Sequence, residues 1–236
     1  MKEYDKRVEL LTREKGRISA FAQGARRVNS ALSACTIPFT FGEYVIHEGS
    51  SANTIKSASI QRFFGTMAED YDMLCYASYF SEMAQYFTRE NIEASQELLL
   101  LYVTFAAMEK KLVPLPLIRV IYEMRMMQLQ GQGIELFECL YCHETGTNQV
   151  FLEAGGLVCD NCLKQNEQLK RKYPLYLSHD AQYSLQYILT TPLPRLYGFT
   201  VSEEVQQELV HFMKRYLGRY LPHTFKSLQF IAAEDF

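Results

Sequence analysis

Four of the six cysteines form two Cys-x-x-Cys pairs, Cys139 with Cys142 and Cys159 with Cys162, separated by sixteen residues. Each pair can chelate one ion from a tight turn, and four thiolates complete a tetrahedron around Zn²⁺. Four protein ligands leave no open coordination position, so we predict one structural Zn²⁺ per chain. Disulfides and a redox pair are the alternatives. We expect a reducing compartment, because no signal peptide precedes the chain, and disulfides are disfavoured there.

The segment between the two pairs predicts a hairpin. Residues 149–152 are strand-like, Gly155 and Gly156 suit a turn with positive φ, and residues 157–158 lead into the second pair. We therefore predict a zinc ribbon over residues 137–165. His143 follows a predicted ligand directly, and we interpret it as a bystander and not as a fifth ligand.

A second group of candidate residues is basic and lies around two predicted turns near the start of the chain. Its members are Arg13, Lys15, Arg17, Arg26 and Arg27. Predicted strands over residues 8–12 and 17–22 would place them on one rim of a small β module. Guanidinium groups bind phosphates bidentately, and counterion release adds affinity with each contact. The pattern indicates a nucleic-acid backbone as partner; a solvated strand face with acidic neighbours is the alternative.

Four aromatic side chains of the same region could stack on unpaired bases. They are Phe21, Phe39, Phe41 and Tyr44. Taken singly, each of these residue types is more often a core residue, so both interpretations stay open.

The composition restricts any nucleic-acid surface to a local patch, because the net charge is −3. The hydrophobic share of 48% in 236 residues is ordinary for a globular protein. The longest apolar stretch, residues 98–108, is too short to span a bilayer, so we expect no membrane association. Cys35 and Cys75 lie among apolar residues, and we interpret them as core residues.

The elements that position these residues change character near residue 65. Before it, short strands alternate with glycine turns; after it, apolar residues recur at three- and four-residue steps. This pattern predicts helices over residues 67–88, 92–112, 180–189 and 202–221, with another ending at Gln130. Thr66 and Thr200 each begin a capping-box pattern. We predict an α+β protein with a β module over residues 1–65 and a helical domain over residues 66–236, with the ribbon inserted in it.

The segment from Tyr4 to Arg27 resembles the opening of the bacterial recombination mediator family RecO. In that family a D-[KR]-x-V-x-L-[LF]-T run leads to G-[KR]-I and then to G-[AV]-R-[RK]. Further matches are residues 38–40, Gly42, the cysteine pairs flanking residues 155–156, and residues 226–228. The resemblance covers nearly the whole chain. It implies an N-terminal OB-fold β-barrel that binds DNA, followed by a helical domain with a zinc-ribbon insertion.

The resemblance also implies a first strand ahead of Asp5, where this sequence has only four residues. We therefore expect the barrel to lack its first strand. An OB barrel without it would expose unpaired strand edges. We hypothesise that the start is truncated or mis-assigned, or that another segment fills the edge.

RecO-like proteins are not enzymes in the bond-making sense, and the chain has no P-loop, H-E-x-x-H or nucleophile-elbow motif. The resemblance implies binding to single- and double-stranded DNA and annealing of strands coated with single-strand-binding protein. It further implies that the protein, with RecR, helps load RecA in gap repair, and that RecF is an indirect partner. A cytoplasmic, nucleoid-associated location follows.

We predict that the five cations named above contact DNA, with Lys6 and Arg7 as further candidates. Cations of the last helix either extend this DNA-contacting surface or form a solvated helix face; they are Lys214, Arg215 and Arg219. The acidic, apolar tail of the single-strand-binding protein is expected to dock in a groove of the helical domain. Arg119 and Arg125 are candidate residues for the basic rim of that groove.

Two other functions stay open at this point. An OB-fold with a zinc ribbon also suits an RNA-binding or transcription factor, which would prefer structured RNA to single-stranded DNA. A nuclease or transferase with a structural ribbon would need a metal-dependent carboxylate constellation.

Overall fold

The computed structural model describes residues 3–50 and 52–231. The chain divides into two compact units, one running to Glu109 and the other starting at Lys110. Strands dominate the N-terminal part and helices the C-terminal part, which confirms the α+β class. The division after Glu109 assigns the first two long helices to the strand-containing unit. The domain boundary between residues 65 and 66 stays a prediction.

Four strands form the sheet of the first unit: β1 (Lys6–Thr12), β2 (Gly16–Ala22), β3 (Thr40–Glu48) and β4 (Asn53–Phe63). Their order is β1-β2-β4-β3, with antiparallel hairpins β1–β2 and β3–β4 and a short parallel pairing between β2 and β4. Alternate residues of β2 are buried, as the two-residue period of a strand requires. The core under the sheet consists of Ala20, Ala22, Ala25 and Ile55.

This sheet is open. Among the described residues its pairing ends at β1 on one side and at β3 on the other, so it does not close into a barrel. The predicted OB-fold barrel is therefore not established by the strand pairing. The strand predicted to be missing would precede Asp5, and residues 1 and 2 lie outside the described part of the chain.

Two helices complete the first unit, α1 (Tyr71–Phe87) and α2 (Ser95–Glu109), with 3₁₀ turns at Ala34–Thr36 and Gly65–Ala68. The predicted capping box at Thr66 is wrong, because Thr66 lies inside a 3₁₀ turn. The carboxylate of Asp70 caps α1 instead and accepts the backbone N–H of Met73 at 3.2 Å.

Aromatic rings pack the sheet against α2. Phe39 and Phe64 lie 5.5 and 5.6 Å from Phe105, and Phe41 lies 4.7 Å from Tyr102, measured between ring centroids. These ring pairs stabilise the helix on the strands beyond the area that they bury.

The second unit contains α3 (Leu115–Leu129), β5 (Gln149–Phe151), β6 (Gly156–Leu157), α4 (Asp160–Gln165), β7 (Leu175–Tyr176), α5 (His179–Thr190) and α6 (Glu203–Tyr220). Its 3₁₀ turns are Leu169–Arg171, Leu193–Arg195 and Ser227–Phe230. Helices α3, α5 and α6 pack together, and the short strands form a second sheet in the order β6-β5-β7. The predicted box at Thr200 is displaced: Ser202 caps α6 and accepts the N–H of Val205 at 3.4 Å.

None of the helices within residues 3–50 and 52–231 has both the length and the apolar character needed to cross a bilayer.

Candidate metal centre and nucleic-acid interface

The two cysteine pairs converge because the β5–β6 hairpin folds the chain back between them. Cys139 and Cys142 precede β5, Cys159 is the N-cap of α4, and Cys162 lies in its first turn. The four Sγ atoms all lie within 4.8 Å of one another, and those of Cys142 and Cys159 are 3.6 Å apart. Zn–S bonds of about 2.3 Å give a tetrahedron with sulfur–sulfur edges of about 3.8 Å. The four thiols therefore fit a single ion of this size.

Backbone hydrogen bonds hold the first pair in a tight turn. The N–H of Cys139 donates to the carbonyl of Glu144 at 2.9 Å, and the N–H of His143 donates to the carbonyl of Cys139 at 3.0 Å. The ring of His143 pairs with the carboxylate of Glu138 and does not belong to the sulfur cluster. This arrangement agrees with the interpretation of His143 as a bystander.

The thiols differ in acidity. Burial raises the pKa of Cys139, but backbone N–H groups of Cys159, Tyr141 and Cys142 favour the thiolate and lower this pKa to about 6. The pKa of Cys162 is raised, first by a hydrogen bond with the Cys142 thiol and then by burial. Sulfurs this close repel one another when ionised, so a bound cation is needed to keep all of them as thiolates.

A small apolar core supports the cluster. Phe151, Val158 and Leu169 are buried beside Cys139 and Cys159. The predicted hairpin between the cysteine pairs is confirmed, and its turn residue Gly155 adopts a φ of +85°. An ion held by these four thiols would therefore link chain segments on both sides of the hairpin.

The predicted nucleic-acid residues begin at the β1–β2 turn, which carries Arg13 and Lys15. Both side chains are exposed. Nε of Arg13 lies 2.9 Å from the carboxylate of Glu14, and Lys15 pairs with Glu48. Because these ion pairs are exposed, solvent and salt screen them, and a phosphate can replace either carboxylate.

The loop after α1 holds the backbone of this turn in place. The N–H of Asn91 donates to the carbonyl of Lys15, and that of Ala94 to the carbonyl of Arg13, both at 2.9 Å. Gly16 adopts a φ of +60°, and a Cβ at this position would lie 2.2 Å from a carbonyl oxygen of the loop. Both the conformation and the close approach therefore require glycine.

Arg26 and Arg27 lie at the opposite end of the hairpin. The β1–β2 turn lies before the first residue of β2, and the two arginines lie after its last residue, Ala22. The seven residues of β2 between them extend over about 20 Å. The structure therefore separates the two groups, in contrast to the single rim predicted from the sequence. Both arginines are exposed, and the guanidinium carbon of Arg27 lies 5.7 Å from the ring centroid of Tyr4.

The other three candidates lie on the strands: Lys6 and Arg7 pair with Ala22 and Phe21 near the end that leads to Arg26, and Arg17 pairs with Leu11 next to the turn. Lys6 is half-buried, and its Nζ donates to Oγ1 of Thr36 at 3.2 Å. Arg7 and Arg17 are exposed; Nε of Arg7 donates to Oγ of Ser19 at 2.7 Å, and Arg17 donates to a backbone carbonyl of α1 at 3.0 Å. The strand register places Arg7 and Arg17 on one outer face of the hairpin.

Three of the four aromatic residues considered for base stacking have a packing role. Phe39 and Phe41 pack on α2, as described above, and the hydroxyl of Tyr44 donates to the carbonyl of Cys35 at 3.0 Å. Burial raises the pKa of Tyr44 to about 12. Phe21 is half-buried on the outer face of the hairpin, opposite Arg7.

Neither candidate rim residue of the helical domain is exposed: Arg119 is buried and Arg125 is half-buried. The side chain of Arg119 is 4% exposed, and its Nε donates to the carboxylate of Glu123 at 2.8 Å. Arg125 donates to the carbonyls of Ile188 and Leu189 at 3.0 and 2.8 Å. The prediction that Arg119 lines a basic rim is therefore wrong, because its side chain is buried. The place of the half-buried Arg125 on such a rim stays a prediction.

The remaining cations of the second unit are exposed. Lys214, Arg215 and Arg219 project from α6 on the side away from its buried residues, which is the arrangement of a solvated helix face. Residues 170–173 were not among the predicted site residues, although they read Lys-Arg-Lys-Tyr and are all exposed next to the metal centre. The run of three cations before an aromatic residue was the signal that could have identified them.

Comparisons with known proteins cover almost the whole chain. Residues 1–64 match the family model described as Recombination protein O N terminal, and residues 68–229 match the one described as Recombination protein O C terminal. The chain is similar to the DNA repair protein RecO of Acetivibrio thermocellus, with 30% identity over 99% of this chain and 92% of the relative. The protein of the same name from Bacillus pumilus is also 30% identical, over 93% of this chain and 85% of the relative. The chain therefore belongs to the RecO family.

Proposed function

We propose that this protein is a DNA repair and recombination mediator that binds single- and double-stranded DNA and anneals complementary strands coated with single-strand-binding protein. With RecR it helps load RecA at single-stranded gaps. The observation that carries the proposal is the match to both RecO family models, which together span residues 1–64 and 68–229. A role in DNA repair and recombination follows from this membership, and the finer steps are our proposal.

The DNA contacts would come from the β1–β2 hairpin. Its exposed cations offer two separate groups, Arg13, Lys15 and Arg17 near the turn and Arg26 with Arg27 beyond the other end. Arg7 lies on the outer face near the end that leads to Arg26, and Lys6 is a secondary candidate because it is half-buried. A strand whose phosphates reach both groups would follow the length of the hairpin. This module would be the OB-fold of the family, completed by a strand that pairs at an open edge of the sheet.

The cysteine cluster would hold Zn²⁺ in a structural role. Bound zinc would supply neutralising charge for four thiolates and fix the β5–β6 hairpin, with no position left for a substrate. Annealing needs no covalent bond to be made or broken, so we propose that the protein acts without nucleotide hydrolysis.

Strand annealing in the presence of the cognate single-strand-binding protein tests this proposal. Complementary fluorescent strands are coated separately and then mixed with and without the purified protein. We expect accelerated duplex formation that does not depend on ATP. An unchanged annealing rate with coated strands would contradict the proposed function.

A further inference from the structure

We propose that the segment Lys170–Tyr176, held against the metal centre, is a second binding surface for single-stranded nucleic acid, separate from the β1–β2 hairpin. This inference rests on the proposed function and assigns to it a further contact site. The segment reads Lys-Arg-Lys-Tyr-Pro-Leu-Tyr. It combines positive charge with exposed aromatic rings, which is how single strands are held without sequence preference.

Charge is concentrated in this segment within a protein whose net charge is −3. Residues 164–176 contain four cations, Lys164, Lys170, Arg171 and Lys172, and one carboxylate, Glu167. Lys170 pairs with Glu167 in an exposed ion pair. Arg171 and Lys172 are exposed and have no carboxylate partner among the described residues. Two cations are therefore available to phosphates without displacement of an acid.

The aromatic side chains of the segment are exposed to an unusual degree. Tyr173 is 91% exposed and Tyr176 is 65% exposed, although tyrosine normally buries much of its ring. Neither ring has a stacking partner within the described part of the chain. Tyr173 directly follows the cations, so a base stacked on its ring would bring its own phosphate close to Arg171 and Lys172.

Both ends of the segment are anchored to the metal centre. Leu169 is buried in the core around Cys139 and Cys159, and the side chain of Asn166 donates to the hydroxyl of Tyr141 at 3.1 Å. At the other end, β7 pairs with β5 of the ribbon hairpin. The four-cysteine cluster thus supports a short basic and aromatic strap, and its zinc would preorganise this strap for binding.

The charge of the strap would attract an acidic peptide as well as a nucleic acid. The two exposed rings favour the nucleic acid, because unpaired bases present flat faces for stacking that a carboxylate-rich peptide lacks. We therefore assign the surface to single-stranded nucleic acid, and binding of an acidic peptide is an outcome of the test.

Fluorescence anisotropy with a labelled oligothymidylate and the full chain tests the proposal. Arg171→Glu combined with Lys172→Glu should raise Kd and reduce the salt slope of log Kobs by about 1.4, at about 0.7 per lost phosphate contact.

Tyr173→Ala should weaken binding at least about fivefold, whereas Tyr173→Phe, which keeps the ring, should bind like the wild type. Lys110→Glu combined with Lys111→Glu is the matched charge control, because both residues are exposed in the same unit.

The possible results separate this inference from the proposed function. Wild-type affinity and salt slope in the Arg171/Lys172 variant, or an equal loss in the Lys110/Lys111 control, would overturn the strap as a binding surface and leave the mediator function intact. A loss of affinity for an acidic peptide but not for the oligonucleotide would assign the strap to a protein partner and also overturn it. A wild-type protein that does not bind the oligonucleotide overturns both proposals.

Discussion

The cations of the β1–β2 hairpin differ in how much of their charge is already engaged. Arg13 and Lys15 have carboxylate neighbours, and Arg17 is bound to a backbone carbonyl. Arg26 and Arg27 have no carboxylate partner among the described residues. A phosphate can therefore approach these two arginines without competition from a carboxylate. Removal of either one should weaken DNA binding more than removal of any other hairpin cation.

Arg26→Glu combined with Arg27→Glu should weaken binding to DNA of any sequence and lower the single-strand salt slope by about 1.4. The loss should be similar for different sequences because the contacts are to the backbone. Titrations at several salt concentrations measure both quantities, with the Lys110/Lys111 reversal as control. Equal affinity and slope in variant and wild type would remove these arginines from the interface.

Gly16 and Gly24 share a left-handed backbone conformation, so substitutions at the two positions can test how closely neighbouring backbone atoms approach Gly16. Gly16 and Gly24 have φ values of +60° and +66°, but the nearest atom to an added Cβ lies at 2.2 Å for Gly16 and at 3.5 Å for Gly24. Gly24→Ala should lower the free energy of unfolding by only about 1–2 kcal/mol, the cost of placing an alanine in the left-handed conformation. Gly16→Ala should lower the free energy of unfolding further, because backbone oxygens must move. Urea unfolding measures the difference, and equal losses would argue against the loop contact.

At the scale of elements, zinc bound by the four cysteines would stabilise a hairpin whose strands have only two or three residues each. Cys159→Ser should reduce bound zinc from about one per chain to nearly none and lower the melting temperature. Cys75→Ser is the control, since Cys75 lies outside the sulfur cluster. Metal analysis and thermal unfolding of both variants provide the measurement; retention of a full equivalent of zinc by Cys159→Ser would exclude the proposed ligand set.

The start of α1 gives a second test at this scale. Asp70→Ala should destabilise the protein by about 1 kcal/mol, because the N–H of Met73 loses its capping acceptor. Thr66→Ala should cost less, because its hydroxyl makes only a 3.4 Å contact with Glu109. Chemical unfolding of the two variants compares them, and a larger loss for Thr66→Ala would favour the capping box predicted from the sequence.

Sequence reasoning succeeded where local periodicity decides the structure. The five long helices, the glycine turn at residue 155 and the two cysteine pairs follow from spacing alone, whereas the short helix α4 was not predicted. It failed where tertiary packing decides. The buried state of Arg119 depends on the neighbours of α3. The separation of Arg17 from Arg26, by contrast, follows from the predicted strand over residues 17–22, which places the two arginines at opposite ends of one strand. The exposure of Tyr173 was likewise not predicted, because tyrosine normally buries much of its ring.

At the scale of the whole molecule, the protein carries a net charge of −3, and the proposed DNA contacts come from local groups of cations on the hairpin and the strap. Its attraction for DNA must therefore be short-ranged and sensitive to salt. Seven hairpin cations in simultaneous contact with one strand would give a salt slope of about −5. We expect the wild type to show a smaller slope in magnitude, because several of these cations are already paired. Binding that does not change with salt would contradict a phosphate-based interface.

The hydrogen bonds from Asn91 and Ala94 to the β1–β2 turn also bear on the thermodynamics of association. A free hairpin turn would have to become ordered when it meets a ligand, and that ordering would subtract from affinity and appear as an unfavourable entropy change. Here both carbonyls are fixed before any ligand arrives, so only the side chains of Arg13 and Lys15 lose freedom. Calorimetric titration should therefore give a modest entropic penalty and a small heat-capacity change for contacts made by this turn.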